Sequence, residues 1–277
     1  IENYENNEFN SMDDAIDSFD KTIGGIYQDL QKSKSKNNEI GITSLDLSES
    51  DYTPVLKQIY DNYSGVNCVS TGIGALNSVF KGGFQNGRLY IFAGTPGTGK
   101  SLLLINFLRS LMTKPKQEDK ENLNIYLYIT LENLIDESLM RLFCSIQNIS
   151  EELILDDFEN NKSHIETVLK EKLRESNSIV LMKYFPATSI NAYDITKYYD
   201  EIKEKYKGKG TIKAIFLDYL DLIKAGRDFD VFRLELGQVT LDLKVIAATK
   251  KIPVITVTQL NRGAYGKNEF GMENLSE

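Results

Sequence analysis

The sequence predicts an α/β fold, a mostly parallel sheet with helices on both faces, and three observations carry that expectation. Residues Gly94-Thr95-Pro96-Gly97-Thr98-Gly99-Lys100-Ser101 form a complete G-x-x-x-x-G-K-[ST] phosphate-binding loop. Apolar runs that read as strands alternate with helical patterns from Val69 onward, as expected for parallel strands covered on both sides. Finally, Ala214-Ile215-Phe216-Leu217-Asp218 is a buried-strand run closing in an acid, the Walker B form, which places Asp218 at the carboxyl edge of such a sheet.

Along the chain, residues 1–50 are polar and carry one helical stripe, Met12, Ala15, Ile16, Phe19, Ile23, Ile26, Tyr27 and Leu30, with Ser11 as its cap and a break at Gly24-Gly25. Residues 31–38 read as a solvated linker. A short helix follows within residues 51–67, with Thr53 as cap, Pro54 in first position, an apolar face of Val55, Leu56, Ile59, Tyr60 and Tyr63, and Gly65 as the stop. A helix that short is marginal in water by itself, so its apolar face is expected to find a covering surface. Residues 68–277 are expected to form the domain that carries the phosphate-binding loop. Strands are expected at 88–93, 124–131, 179–184, 212–217 and 253–258, and helices at 101–112, 133–147, 162–175, 191–206 and 232–250.

Composition narrows the function classes. With 41% hydrophobic and 26% charged residues the chain is ordinary for a globular protein. It lacks an apolar stretch near the ~20 residues that cross a bilayer and lacks a signal-peptide pattern, so the expectation is a cytoplasmic protein without membrane partners. His164 is the sole histidine, which rules out imidazole-based metal sites and Ser-His-Asp catalysis; Cys68 and Cys144 read as small hydrophobes. A net charge of −8 argues against a uniformly basic surface, but a channel that threads a single strand needs only a few basic groups on its wall.

In the phosphate loop, Gly94, Gly97 and Gly99 let the backbone wrap a polyphosphate, Lys100 reaches the β- and γ-phosphates, and Ser101 ligates Mg²⁺. ATP and Mg²⁺ are therefore the expected ligands, with Asp218 supporting the metal. Asp221, three residues on, would point away along an extended chain and is read as a turn residue. Glu132 ends the strand before it and suits either water activation or a charge at the start of the following helix. Gln259, after the last strand, is a neutral two-ended hydrogen bonder suited to sensing the γ-phosphate.

Several segments together resemble the RecA-type motor domain of DnaB-family replicative helicases. They are Ser70-Thr71-Gly72-Ile73 with Gly82-Gly83-Phe84, Thr130-Leu131-Glu132 followed by Met140-Arg141, Leu217-Asp218-Tyr219-Leu220, and Thr258-Gln259-Leu260-Asn261-Arg262. The segment Lys183-Tyr184-Phe185-Pro186-Ala187-Thr188-Ser189 and the tail from Arg262 to Glu277 look most like the helicases of T-even-type tailed phages, which would work in the host cytoplasm. The resemblance covers about residues 52–277 and implies a RecA-like P-loop NTPase: Lys100 and Ser101 on phosphate and Mg²⁺, Glu132 as the water-activating base, Asp218 on the metal, and Gln259 as sensor.

It also implies a ring, as a hexamer, that binds single-stranded DNA through the loops after the Walker B and sensor strands. Those loops hold Lys224, Arg227, Arg262 and Lys267, and a primase and a helicase loader are the implied partners. Arg141 matches a family position and equally suits a helix surface. The family carries further strands and a Lys/Arg finger beyond the sensor loop, so this chain is expected to be C-terminally incomplete and weak in hydrolysis alone. Residues 1–50 fall short of the family's collar domain. The competing expectations are a RecA/RadA-like recombinase or KaiC-like regulatory ATPase, and a non-catalytic assembly module.

Overall fold

The computed structural model describes residues 51–63, 68–113, 122–156, 158–227 and 229–260. The expected helix at 12–30 and linker at 31–38 lie outside them, as do Asn261, Arg262, Lys267 and the rest of the tail. The chain divides into two units, Ile1–Asp51 and Tyr52–Glu277, and the second holds every described helix and strand.

Its elements are α1 (Thr53–Tyr63), β1 (Cys68–Val69), α2 (Gly74–Val79), β2 (Phe84–Gln85), β3 (Leu89–Gly94), α3 (Lys100–Met112), β4 (Leu123–Thr130), α4 (Ile135–Gln147), α5 (Glu151–Leu155), α6 (Phe158–Glu175), β5 (Ser178–Tyr184), α7 (Ala192–Lys205), β6 (Gly210–Asp218), a 3₁₀ turn (Leu220–Leu222), α8 (Phe232–Lys250) and β7 (Val254–Gln259). The expected α8 agrees residue for residue. Thr53 opens α1 rather than capping it, and α6 starts four residues earlier than the apolar pattern suggested. The unexpected α5 forms where the Ser150 side chain accepts from the Leu153 N–H, satisfying a donor that a short helix leaves open. At α7, Asn191 and Asp194 form a reciprocal capping box that fixes the start of the helix.

Strands β3-β7-β6-β4-β5, in that order, make a five-stranded sheet whose pairings are all parallel. Alternation along the central strands builds a core on each face. Ile125, Leu127 and Ile129 of β4 join Ile215 and Leu217 of β6 in packing against α7 and α8. Tyr126 and Tyr128 join Ala214, Phe216, Ile255 and Val257 against α3 and α4. On that second face Phe84 of the small antiparallel β1–β2 pair is fully buried among Phe80, Tyr90, Phe92 and Phe107, with ring centroids 4.9–6.3 Å away. Aromatic edges against faces anchor that pair to α3. On α8, Leu236, Val239, Leu243 and Ile246 recur at helical spacing and are buried.

Because all five strands run the same way, their carboxyl ends share one edge. Gly94 pairs with Gln259, and Thr130 pairs with both Asp218 and Tyr184. The phosphate loop, Asp218 and Gln259 are thereby brought to one side of the sheet. No described helix is long and apolar enough to cross a membrane.

Candidate functional site

The phosphate loop is shaped by its glycines. Gly99 caps α3 in the left-handed conformation, with φ 83°, which a side chain would strain. At Gly94 a Cβ would lie 2.7 Å from Thr98 Oγ1, so the loop can fold back on itself only over a bare backbone. Thr98 Oγ1 donates to the Thr95 carbonyl at 2.7 Å and Lys100 Nζ donates to the same carbonyl at 3.0 Å, holding the lysine over the loop. A cavity of about 520 Å³ opens here, lined by Gly94, Thr95, Thr98, Gly99, Lys100, Leu103 and Asn106 among others. The unpaired N–H groups at the start of α3 make this end of the helix suited to anions.

Asp218 is fully buried and is the hub of a hydrogen-bond network. Ser101 Oγ donates to its Oδ1 at 3.0 Å; Tyr128 OH and Asn133 Nδ2 donate to its Oδ2 at 3.1 and 3.3 Å. Burial raises its pKa, against the opposing pull of those three donors and of the Arg141 charge. A cation held between Ser101 Oγ and Asp218 Oδ1 would relieve that desolvation, and two hard oxygens are the donors Mg²⁺ prefers. The residues present therefore fit the metal.

Glu132 lies in the turn after β4, three residues before α4 begins; the acids of that helix's first turn are Asp136 and Glu137. It is exposed, but partial desolvation and then the Asp218 charge raise its pKa, while Lys100 and Arg141 oppose the rise. The turn is fixed by Thr130, whose Oγ1 donates to the Asn133 carbonyl at 2.7 Å and accepts from the Asn133 N–H at 3.1 Å. Arg141, half-buried on α4, lies near enough for its positive charge to oppose the raised pKa of Glu132 and of Asp218.

Asp221 departs from the expected extended geometry. After Asp218 and an extended Tyr219 the chain tightens into the 3₁₀ turn Leu220–Leu222, which ends the extended course and leaves the Asp221 carboxylate against the end of β7. Its Oδ1 accepts from Thr258 Oγ1 at 2.6 Å and its Oδ2 from the Gln259 N–H at 2.8 Å. Burial raises its pKa; those two donors and the Lys100 charge work in the other direction.

Lys100, Ser101, Glu132, Asp218 and Gln259 therefore meet at one sheet edge. Of the basic loop residues, Lys224 and Arg227 are exposed, the Arg227 guanidinium standing 4.7 Å from the centre of the Phe229 ring, while Arg262 and Lys267 lie outside the described residues. Tyr128 and Asn133 carry no role in the sequence reading, and Asp221 only that of a turn residue. The available signal was Tyr128, a phenol in a strand otherwise buried, whose hydroxyl needs a partner. Cys68 and Cys144 are free, and among the described residues no group of three or more His, Cys, Asp and Glu side chains is placed to hold a metal by itself.

The profile of the family described as DnaB-like helicase C terminal domain matches residues 68–270. The chain is similar to the replicative DNA helicase DnaB of Rickettsia bellii, 27% identical over 229 residues that make up 81% of this chain and 44% of that protein. It is 26% identical to the replicative DNA helicase DnaB of Haemophilus influenzae over 73% of this chain and 41% of that one. It is also 26% identical to the replicative DNA helicase DnaC of Bacillus subtilis over 91% and 51%. The chain thus spans about half the length of the curated relatives it matches. Among solved structures, its fold matches a DnaB-like replicative helicase studied with its interactions with primase, at a TM-score of 0.64 and 19% identity, covering 94% of this chain and 60% of that one. It also matches a second solved chain, described as an ATPase domain, at a TM-score of 0.61 and 17% identity, covering 82% of this chain and 78% of that one.

Proposed function

The chain belongs to the DnaB-like helicase C-terminal domain family, and on that premise we propose that it is the ATP-driven motor of a replicative DNA helicase, moving along single-stranded DNA and unwinding duplex at a fork. The observation that carries the reading is the meeting of Lys100, Ser101, Glu132, Asp218 and Gln259 at the carboxyl edge of the sheet.

In this reading the loop N–H groups and Lys100 bind the β- and γ-phosphates of ATP. Ser101 and Asp218 hold Mg²⁺, which when bound neutralises charge on the phosphate oxygens. Glu132, ionised, takes a proton from the attacking water, and Gln259 registers loss of the γ-phosphate. The Arg141 charge favours the ionised form of both acids, against the desolvation that raises their pKa values.

The same reading extends to assembly. The 51–67 segment links the polar N-terminal residues to the motor at 68–277 and docks on a neighbouring copy in a hexameric ring, with Lys224, Arg227, Arg262 and Lys267 on the DNA path. Exposure of Leu56, Ile59 and Tyr60 on α1 supports the docking. A primase and a loader are the partners, and the Lys183–Ser189 segment supports a helicase of the T-even phage type acting in host cytoplasm.

Strand displacement tests this. The protein carrying this chain should separate a forked duplex only with ATP and Mg²⁺, and Lys100→Ala should abolish displacement together with ATP binding. ATP-dependent strand exchange, or phosphotransfer without displacement, would transfer the chain to the recombinase or regulatory class.

A further inference from the structure

We propose that Asp221 is a positioning residue that ties the sensor Gln259 to the segment bearing Lys224, so that nucleotide state and DNA grip are coupled through one carboxylate. The proposal rests on the roles given above to Gln259 and Lys224.

The ladder between β6 and β7 runs only from Ile215 opposite Val254 to Leu217 opposite Thr256. Beyond it the Asp221 carboxylate makes the next connection, taking the Thr258 hydroxyl on one oxygen and the Gln259 N–H on the other, at 2.6 and 2.8 Å. Bonds to an ionised acceptor are the short and strong kind. Holding two consecutive residues of one strand end with both oxygens fixes the position of that end, and Gln259 is its last residue. Thr258 is buried, so its hydroxyl has little alternative in water.

The other side of the turn is fastened elsewhere. The Leu222 carbonyl accepts from the Thr188 N–H at 2.9 Å, and the Lys224 N–H donates to the Ile190 carbonyl at 2.9 Å, so that Lys224 bridges in parallel with Asn191. Ile223, between them, is buried in the core. Lys224 itself projects into solvent. Through the Asp221 carboxylate a displacement of Gln259 would bear on the turn Leu220–Leu222 that leads to Lys224, whereas without Asp221 the strand end and the turn could move separately. Coupling of this kind needs a contact present in one state and altered in the other, and the role proposed here assigns that part to the Asp221 pair of bonds.

The test measures the affinity of the full chain for a fluorescent single-stranded oligonucleotide with and without a non-hydrolysable ATP analogue and Mg²⁺. The wild-type protein should bind DNA about tenfold more tightly with the analogue, within the span usual for coupled sites, and DNA should tighten analogue binding by the same factor. Asp221→Asn, which has one acceptor oxygen in place of two, should reduce both factors below about twofold while analogue affinity without DNA stays within about twofold of wild type. Thr258→Val, similar in shape, should act likewise, and Thr258→Ser, which keeps the hydroxyl, should restore coupling; this pair decides the matter if Asp221→Asn does not fold. Wild-type coupling in Asp221→Asn and Thr258→Val overturns the proposal and leaves the helicase reading intact. Absence of coupling in the wild-type protein overturns both.

Discussion

Ser101 Oγ donates to Asp218 Oδ1 at 3.0 Å, joining the first turn of α3 to the end of β6 across 117 positions of sequence. The second Asp218 oxygen is held by Tyr128 and Asn133, so the carboxylate is oriented before any ligand arrives. Preorganisation of this kind matters because outer partners of metal-binding groups typically change affinity or activity about 10–100-fold when removed.

Tyr128→Phe removes one of those partners and little else. We expect the Mg²⁺ needed for nucleotide binding to rise about tenfold, the low end of that range. Stability in urea should fall by about 1.5–3 kcal/mol, the usual worth of a hydrogen bond to a charged group. Fluorescent-nucleotide titrations at varied Mg²⁺ check the first, and an unchanged requirement would mean that Asn133 alone holds the oxygen.

Glu132→Gln should bind ATP as the wild type does but hydrolyse it about 10²–10⁴-fold more slowly, the usual contribution of a positioned base. Single-turnover kinetics separate the two quantities. Wild-type turnover in the variant would assign water activation to another residue.

The pH dependence follows from the raised pKa of Glu132. A base works ionised, so hydrolysis should be full above that pKa and decline below it, with the decline beginning above the ordinary glutamate value of about 4.3. Arg141→Ala removes a charge that opposes the rise, so its profile should shift to higher pH, a shift that pH–rate measurements detect. Buried Asp218 carries the corresponding sign for stability: it holds its proton more tightly folded than unfolded. Its stabilising contribution is thus present below the unfolded value of about 3.9 and is lost as the pH rises through the folded pKa.

On α1, Leu56 is 62% exposed and Tyr60 68%. Replacing Leu56 and Ile59 with Asp should leave nucleotide binding intact and shift sedimentation from oligomer to monomer. Unaltered oligomers, or unfolding of the motor, would place the helix against its own domain.

The phosphate loop, the alternation of strand and helix, and the acids that close β4 and β6 are legible in the chain alone, because each is written locally. A glycine pattern, a period of two or 3.6 and a charge after an apolar run are all visible within a few residues. The strand order is settled only on folding, since which parallel strands become neighbours depends on how both faces are covered. So is the choice of which polar side chains meet. Tyr128 and Asn133 reach Asp218 from 90 and 85 residues away, and Asp221 reaches Thr258 and Gln259 from 37 and 38. A hydrogen bond over such separations leaves no local pattern. Asp221 illustrates the difference: extended, it would face away from the site, and only the 3₁₀ turn after β6 returns its carboxylate to the end of β7.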